Sequence, residues 1–98
     1  MNVRISRGRI KPGSWDLFEA AWNEVYGSVQ PAGLRARALI RDFEDPDGGS
    51  SISLWDDAAS AAAATTALKG AMQKLEAFYT GDYEVYDGSL QANHGLFG

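Results

Sequence analysis

The sequence predicts an α+β fold, a four-stranded antiparallel sheet with both helices on one face, in the element order β-α-β-β-α-β. Two segments carry large apolar residues at the three- and four-residue spacing of an amphipathic helix. Four further segments have the alternation or the β-type composition of strands, and turns rich in glycine, proline and aspartate separate the segments. This order is that of the split βαβ, or ferredoxin-like, arrangement, in which the first strand lies between the third and the fourth.

The first strand and the first helix are predicted on either side of a Lys-Pro-Gly turn. Residues 2–10 mix β-branched residues with arginines, and the turn that follows ends the strand. Ser14 is a predicted N-cap, able to accept a hydrogen bond from a first-turn amide. From Trp15 to Tyr26 the large side chains share one helix face, and Gly27 ends the helix.

The second and third strands are predicted to form a hairpin. Residues 34–43, LRARALIRDF, alternate with period two and place Arg37, Leu39 and Arg41 on one face. The loop EDPDGGSS follows, and residues 52–55, ISLW, return as the antiparallel neighbour.

An alanine-rich second helix is predicted after Asp56 or Asp57, either of which is a suitable N-cap. Its apolar stripe consists of Ala61, Ala64, Leu68, Met72 and Leu75. Gly70 is a candidate break within it, and residues 83–88, YEVYDG, form the predicted fourth strand. Because alanine side chains are so short, this helix either packs unusually close to the sheet or leaves space beneath it.

Length and composition indicate one folded domain. The chain has 98 residues, of which 45% are hydrophobic and 22% charged, and we assign residues 1–88 to a single domain and 89–98 to a tail whose order the pattern does not predict. There is no cysteine, which excludes disulfides and thiolate metal sites and favours a cytoplasmic location. Neither a signal peptide nor a membrane span is apparent in the sequence.

The charges are divided unevenly along the chain. Residues 1–41 carry a net charge of +4 and residues 42–98 a net charge of −8. A uniformly basic surface for nucleic acid is therefore not expected. Electrostatic attraction between the two halves of the chain is expected instead. The topology predicts that Arg7 and Arg9 meet Glu84 or Asp87 across neighbouring strands.

Both faces of the predicted sheet carry apolar side chains, but the helices cover only one of them. Leu39 and Phe43 lie on one side of the second strand, and the small apolar residues of that strand lie on the other. A monomer would leave one apolar set exposed to water, so we expect a homodimer joined through its sheet faces.

Four features of the chain resemble the antibiotic biosynthesis monooxygenase family over residues 3–88: the KPG turn, a helix rich in Trp and Phe, the segment PAGLRARALIRDFEDP, and a third strand that runs into LWDD. The resemblance implies a dimeric α+β barrel. It also implies a pocket between helices and sheet, in which several members oxidise polycyclic phenols to quinones with dioxygen and without metal, flavin or haem.

The resemblance further implies catalytic candidates. Trp55 stands where cofactor-free members keep a tryptophan on strand three, and Ser51 stands where the family pattern often has an asparagine. A hydroxyl reaches less far toward a phenolate or peroxide oxygen than a carboxamide does. Haem-degrading relatives use a histidine on the second helical region, whereas the single histidine here is His94 in the tail, which argues against haem cleavage.

Candidate substrate-binding residues are those whose size and helical spacing suit an aromatic slot under the helices: Trp15, Phe18, Trp22, Ala61, Ala64, Leu68, Phe78 and Tyr79. The alternative for each of them is ordinary core packing. Arg7, Arg9, Arg37 and Arg41 are candidates for stabilising an anion, with a surface salt bridge as the alternative.

No metal-ligand spacing or phosphate-binding loop is present in the sequence. The function that these features favour is cofactor-independent oxygenation of a small aromatic substrate. The alternative is a non-catalytic dimeric module of the same fold that binds a small ligand or serves a stress-related role.

Overall fold

The computed structural model describes residues 1–81 and 83–95. Its elements are β1 (Asn2–Arg9), α1 (Trp15–Gly27), β2 (Leu34–Arg41), β3 (Gly48–Trp55), α2 (Ala58–Ala67), α3 (Lys69–Glu76) and β4 (Glu84–Ser89). The strands form one antiparallel sheet in the order β2-β3-β1-β4. The predicted ferredoxin-like fold is therefore confirmed, with β1 between β3 and β4. No helix in the described part of the chain has the length and apolar composition needed to cross a membrane.

The turn between β1 and α1 is held by backbone contacts to distant segments. The Ile10 amide donates to the Asp47 carbonyl at 2.8 Å, and the Lys11 amide donates to the Phe78 carbonyl at 2.9 Å. The prediction that Ser14 accepts a capping hydrogen bond is wrong, because its hydroxyl donates to the Lys11 carbonyl at 2.6 Å and makes no bond to a first-turn amide. The hydroxyl stabilises the turn instead of the helix end.

The second helical region is divided into α2 and α3. Asp57 is the N-cap of α2, since its carboxylate accepts from the Ser60 amide at 2.7 Å. The predicted break is present, but it lies at Leu68 and not at Gly70, which is the second residue of α3. Leu68 has ψ near 3° and its amide still donates to the Ala64 carbonyl, so one residue ends α2 and begins α3 without a loop.

Alternate residues of each strand face the helices. On β1 the inward set includes Arg4, whose guanidinium donates to Thr65 of α2 at 2.8 Å. On β2 the residues that face the helices are Arg37, Leu39 and Arg41, which the period-two pattern of the sequence placed on one face. The β2–β3 register is irregular between Leu34 and Ala36, and this irregularity places Leu34 against the helix-side core.

Two groups of buried residues lie between the helices and the sheet. The larger consists of Ile10, Trp15, Phe18, Val25 and Leu75. The smaller consists of Trp55, Ala61 and Ala64, with Leu34 packed against it. The alanine helix therefore packs directly on the Trp55 ring, which is only 2% exposed. This contact is the close approach that short side chains permit.

The basic N-terminal segment pairs with acids of the C-terminal half, but Arg7 and Arg9 do not form ion pairs with the acids that the topology predicted. Arg7 lies opposite Glu84 in the β1–β4 register, as predicted, but its guanidinium pairs with Asp42 at 3.2 Å. Arg9 pairs with Asp45 at 2.7 Å, so the prediction that these two arginines form ion pairs with Glu84 or Asp87 is wrong. The register of β1 with β4 ends at Arg7, which leaves Arg9 without an opposite residue on β4. The acidic β2–β3 loop folds toward this end of β1 and supplies both carboxylates.

Candidate functional site

A cleft lies between the helices and the sheet and consists of two adjoining halves. Each half contains about 660 Å³ of atom-free space, a volume that includes solvent at its open mouth. Residues that line both halves are Ser6, Tyr26, Ser51, Met72 and Tyr83. Because the two halves share these lining residues, we treat the two halves as one continuous cleft and call them the aromatic half and the basic half.

The aromatic half is walled by rings from α1 and from the segment after α3. Its aromatic side chains are Trp15, Phe18, Trp22, Tyr26, Tyr79 and Tyr83. The Phe18 and Tyr79 ring centroids are 6.1 Å apart, and those of Tyr79 and Tyr83 are 4.9 Å apart. These tilted rings form a slot whose walls suit a flat apolar ligand.

The hydroxyls of Tyr26 and Tyr79 in the aromatic half stay protonated at physiological pH. Burial raises the pKa of Tyr79 to about 12, and the neighbouring hydroxyls of Tyr26 and Tyr83 add to the effect. Burial also raises the pKa of Tyr26, although the Arg37 charge opposes that shift. These groups are therefore hydrogen-bond donors and not general bases. The Trp22 indole nitrogen is a further buried donor that has no acceptor in the part of the chain described.

The basic half lies under the end of α2 and the start of α3. Arg4, Arg37, Ser53, Trp55, Ala64, Thr65 and Leu68 are among the residues that line it. No acidic side chain lines this half among residues 1–81 and 83–95. Arg4 is already neutralised, because its guanidinium bonds both carboxylate oxygens of Asp87. The local charge that remains is that of Arg37.

Trp55 is fixed by a hydrogen bond within its own strand. Its indole nitrogen donates to the Ser53 hydroxyl at 2.9 Å, and Ser53 is itself buried. The indole N–H is therefore engaged, and the ring face is what Trp55 contributes to the cleft. Ser53 and Trp55 share a face of β3 because they are two residues apart.

Arg37 is held between aromatic rings. Its guanidinium carbon lies 4.0 Å from the Tyr26 ring centroid and 5.4 Å from that of Trp55. Its Nη1 atom is buried and has no hydrogen-bond acceptor within residues 1–81 and 83–95. Burial lowers the pKa of Arg37, partly opposed by Tyr26, but an arginine begins so far above neutrality that the side chain stays charged.

Most of the predicted site residues come together in this cleft. Ser51 lines both halves, and Trp55 lines the basic half. Of the predicted substrate-binding residues, those lining the cleft are Trp15, Phe18, Trp22, Ala64, Leu68 and Tyr79. The other two lie in the core: Ala61 packs on Trp55, and the Phe78 ring lies 5.7 Å from that of Phe18.

The remaining candidates lie elsewhere or are already paired. Arg7 and Arg9 direct their guanidinium groups to Asp42 and Asp45, and Arg41 stacks 5.1 Å above the Trp15 ring while donating to the Pro46 carbonyl. His94 is exposed in the tail. Part of the predicted tail, residues 96–98, lies outside the described residues.

Lining residues that were not predicted include Tyr26 and Ser53. Tyr26 belongs to the apolar stripe of α1, and Ser53 shares the β3 face of Trp55, so spacing alone contained the signal for both. Tyr83 reaches the cleft because β1 has a glycine opposite it. A Cβ on Gly8 would lie 2.9 Å from the Tyr83 Cβ, so a side chain there would displace the tyrosine.

Comparison of the whole fold identifies close structural relatives. A structure described as an antibiotic biosynthesis monooxygenase superposes with a TM-score of 0.82 at 21% identity, over 94% of this chain and 100% of the other. A Chloroflexus aurantiacus protein assigned to the same family gives a TM-score of 0.80 at 22% identity, over 97% of each chain. An asparagine-to-alanine variant of SnoaB, a cofactor-independent oxygenase from Streptomyces nogalater, gives 0.76 at 15% identity, over 99% of this chain and 97% of its own.

Sequence comparison alone finds no relative, since no family model and no curated protein matches the chain. The structural matches confirm the resemblance to antibiotic biosynthesis monooxygenases in the fold, along nearly the whole chain. At these identities the shared property is the fold, and the activity has to be inferred from the cleft.

Proposed function

We propose that this protein is a cofactor-independent monooxygenase that oxidises a small phenolic aromatic with dioxygen in the cleft between its sheet and its helices. The observation that carries the proposal is the placement of Ser51 and Trp55 on one continuous cleft with the aromatic slot. A structural neighbour of the same fold, SnoaB, is a cofactor-independent oxygenase, which supports this class of chemistry.

The reaction needs an electron-rich substrate anion and a dry site. A naphthol-type phenol first loses its hydroxyl proton to solvent at the cleft mouth, and the phenolate then transfers one electron to dioxygen. The resulting radical pair forms a carbon–oxygen bond at the ring carbon para to the phenolate oxygen. One oxygen atom remains there as the new quinone carbonyl. The other leaves as water with two hydrogens, one from that carbon and one replacing the lost hydroxyl proton.

The described residues are suited to three roles in this reaction. The rings of the aromatic half hold the substrate flat and exclude water from it. Ser51 and the neutral Tyr79 hydroxyl are donors for the developing peroxide oxygen. Trp55, whose N–H is occupied by Ser53, offers its ring face to the substrate and not a hydrogen bond.

The proposed assembly is a homodimer joined through the sheet face that the helices leave open. Among the apolar residues of that face, Ile40 is 44% exposed and Tyr86 is 54% exposed. Ile5 and Ile52 are partly exposed in the same register row as Tyr86. A second copy of this face would remove these side chains from water.

Oxygen uptake tests the proposed activity. Purified protein is incubated with 1-naphthol or a hydroxylated anthrone in air, with a metal chelator present, and oxygen consumption and quinone absorbance are followed. We expect uptake that is lost in Trp55→Leu, which removes the aromatic ring face, and kept in Phe43→Ala, because Phe43 is fully exposed and lines neither half of the cleft. Absence of uptake with every phenol tested, in protein shown to be folded, would contradict the proposal.

One observation favours a second candidate, a non-catalytic module that binds a small aromatic ligand. The family pattern often has an asparagine at the position of Ser51, and the indole N–H of Trp55 is already engaged, so fewer polar groups are available for the reacting oxygens. This candidate predicts a rise in thermal midpoint with the same phenols and no oxygen uptake.

A further inference from the structure

We infer that Arg37 is the anion receptor of the cleft, and that the ligand is a planar aromatic oxyanion, either an ionised phenol or an aromatic carboxylate. This inference rests on the proposed function and specifies the charge state of the ligand that the cleft binds. Binding of such an anion does not depend on turnover, so the two proposals can fail separately.

The first step of the argument is the pairing of the arginines. Those with a carboxylate partner are Arg4, Arg7, Arg9 and Arg35. Arg41 donates to the Pro46 carbonyl. Arg37 alone makes neither a salt bridge nor a hydrogen bond within residues 1–81 and 83–95. A half-buried charge without a counter-ion is costly, and this cost is relieved when a ligand supplies the anion.

The second step is the geometry of the guanidinium. Tyr26 at 4.0 Å and Trp55 at 5.4 Å offer their ring faces to it, and such contacts offset part of the cost of burying the charge but give the N–H donors no acceptor. Stacking also restricts the plane of the group, so its donors are oriented before a ligand arrives. A planar fork of donors matches an oxyanion better than a single ammonium does.

The third step is the position of this charge relative to the rings. Arg37 lines the basic half, Trp22 lines the aromatic half, and Tyr26 lines both. The Trp22 and Tyr26 ring centroids are 5.2 Å apart, so the slot begins one ring away from the guanidinium. A ligand whose rings occupy the slot therefore carries its oxyanion toward Arg37.

Binding of three naphthalene ligands tests the inference. 2-Naphthoate is anionic at neutral pH, 2-naphthol is neutral there and ionises at alkaline pH, and 2-naphthalenemethanol stays neutral throughout. Affinities are measured by calorimetry for the wild type, Arg37→Met and Arg37→Lys. Arg35→Met is the matched control, because it removes the same charge from the same strand but from a residue already paired with Asp56.

We expect the wild type to bind 2-naphthoate about tenfold more tightly than 2-naphthalenemethanol, from a charge-assisted hydrogen bond in a partly solvated site. Arg37→Met should abolish this preference, Arg37→Lys should keep part of it, and Arg35→Met should keep it within about twofold. Wild-type affinity for 2-naphthol should rise with pH toward the pKa of the naphthol hydroxyl, whereas affinity for 2-naphthoate should stay flat from pH 6 to 9.

The inference is overturned if the wild type shows no preference for the anion, or if a folded Arg37→Met variant retains it. If Arg37→Met does not fold, the Arg37→Lys variant and the wild-type pH series decide, and a 2-naphthol affinity that stays flat or falls with pH overturns it. Oxygen uptake without an anion preference would support the proposed function and contradict this inference. An anion preference without oxygen uptake would support this inference and contradict the proposed function.

Discussion

The guanidinium carbon of Arg37 lies 4.0 Å from the centre of the Tyr26 ring, so an arginine of the edge strand β2 and an aromatic residue of α1 meet face to face. The contact joins the sheet to α1 where the two halves of the cleft meet. Tyr26→Leu should remove the cation–π contact and lower the free energy of unfolding by about 1–2 kcal/mol. Tyr26→Phe keeps the ring and should stay within about 0.5 kcal/mol of the wild type in urea unfolding. Equal losses in both variants would assign the effect to the hydroxyl.

The hydrogen bond from Trp55 to Ser53 should matter for stability more than for chemistry. Ser53→Ala leaves the buried indole N–H without its acceptor, and we expect a loss of about 1–3 kcal/mol in thermal or urea unfolding. Ser51→Ala serves as the comparison, because the Ser51 side chain makes no hydrogen bond within the described residues. It should cost under about 1 kcal/mol but lower oxygen uptake with 1-naphthol. The opposite ranking of the two serines would contradict these roles.

Tyr79 should contribute to alkaline unfolding. Its pKa is about 12 in the folded protein, above the usual value of 10, so the folded state favours the neutral hydroxyl. The stability that this provides is fully present below pH 10 and is lost as the pH rises from 10 toward 12. Thermal midpoints between pH 9 and 12 should therefore fall less steeply in Tyr79→Phe than in the wild type. Parallel curves would show that the folded hydroxyl titrates normally.

Gly49 should tolerate no side chain, because β2 and Trp15 approach it closely. A Cβ there would lie 2.3 Å from the Ile40 carbonyl oxygen and 2.9 Å from the Trp15 ring. We expect Gly49→Ala to lower the free energy of unfolding by about 1–3 kcal/mol. Gly70→Ala is the control: it lies within α3 with open space around it, and should raise stability by about 0.5–1 kcal/mol. A neutral Gly49→Ala would show that Trp15 can move aside.

A charge on the open sheet face should dissociate the proposed dimer. Ile40→Asp places a carboxylate among exposed apolar residues of that face, and light scattering should then give a lower mass than the wild type at the same concentration. Leu17→Asp changes a more exposed apolar residue on α1, which lies on the helix side, and should leave the mass unchanged. A wild type that is monomeric at micromolar concentration would remove this proposal.

Local sequence patterns were sufficient for the element order and for several of the aromatic residues of the cleft wall. The period-two alternation of residues 34–43 placed Arg37, Leu39 and Arg41 on one face of the second strand. The helical spacing of α1 placed Trp15, Phe18 and Trp22 on one face of that helix. Such periodicities are properties of the backbone geometry of a strand or a helix, so they can be recognised without knowledge of any distant contact.

Contacts between distant segments depended on the tertiary structure. The acidic β2–β3 loop, and not β4, supplies the partners of Arg7 and Arg9, because the loop folds toward the end of β1. The alanine helix packs closely on Trp55, and the basic half of the cleft lies beside it, lined by Leu68 at the junction of α2 and α3. Four arginines looked alike in the sequence. Only the tertiary packing placed Arg37 between the Tyr26 and Trp55 rings with no counter-ion among residues 1–81 and 83–95. Residue spacing contains no information about which acids are within reach.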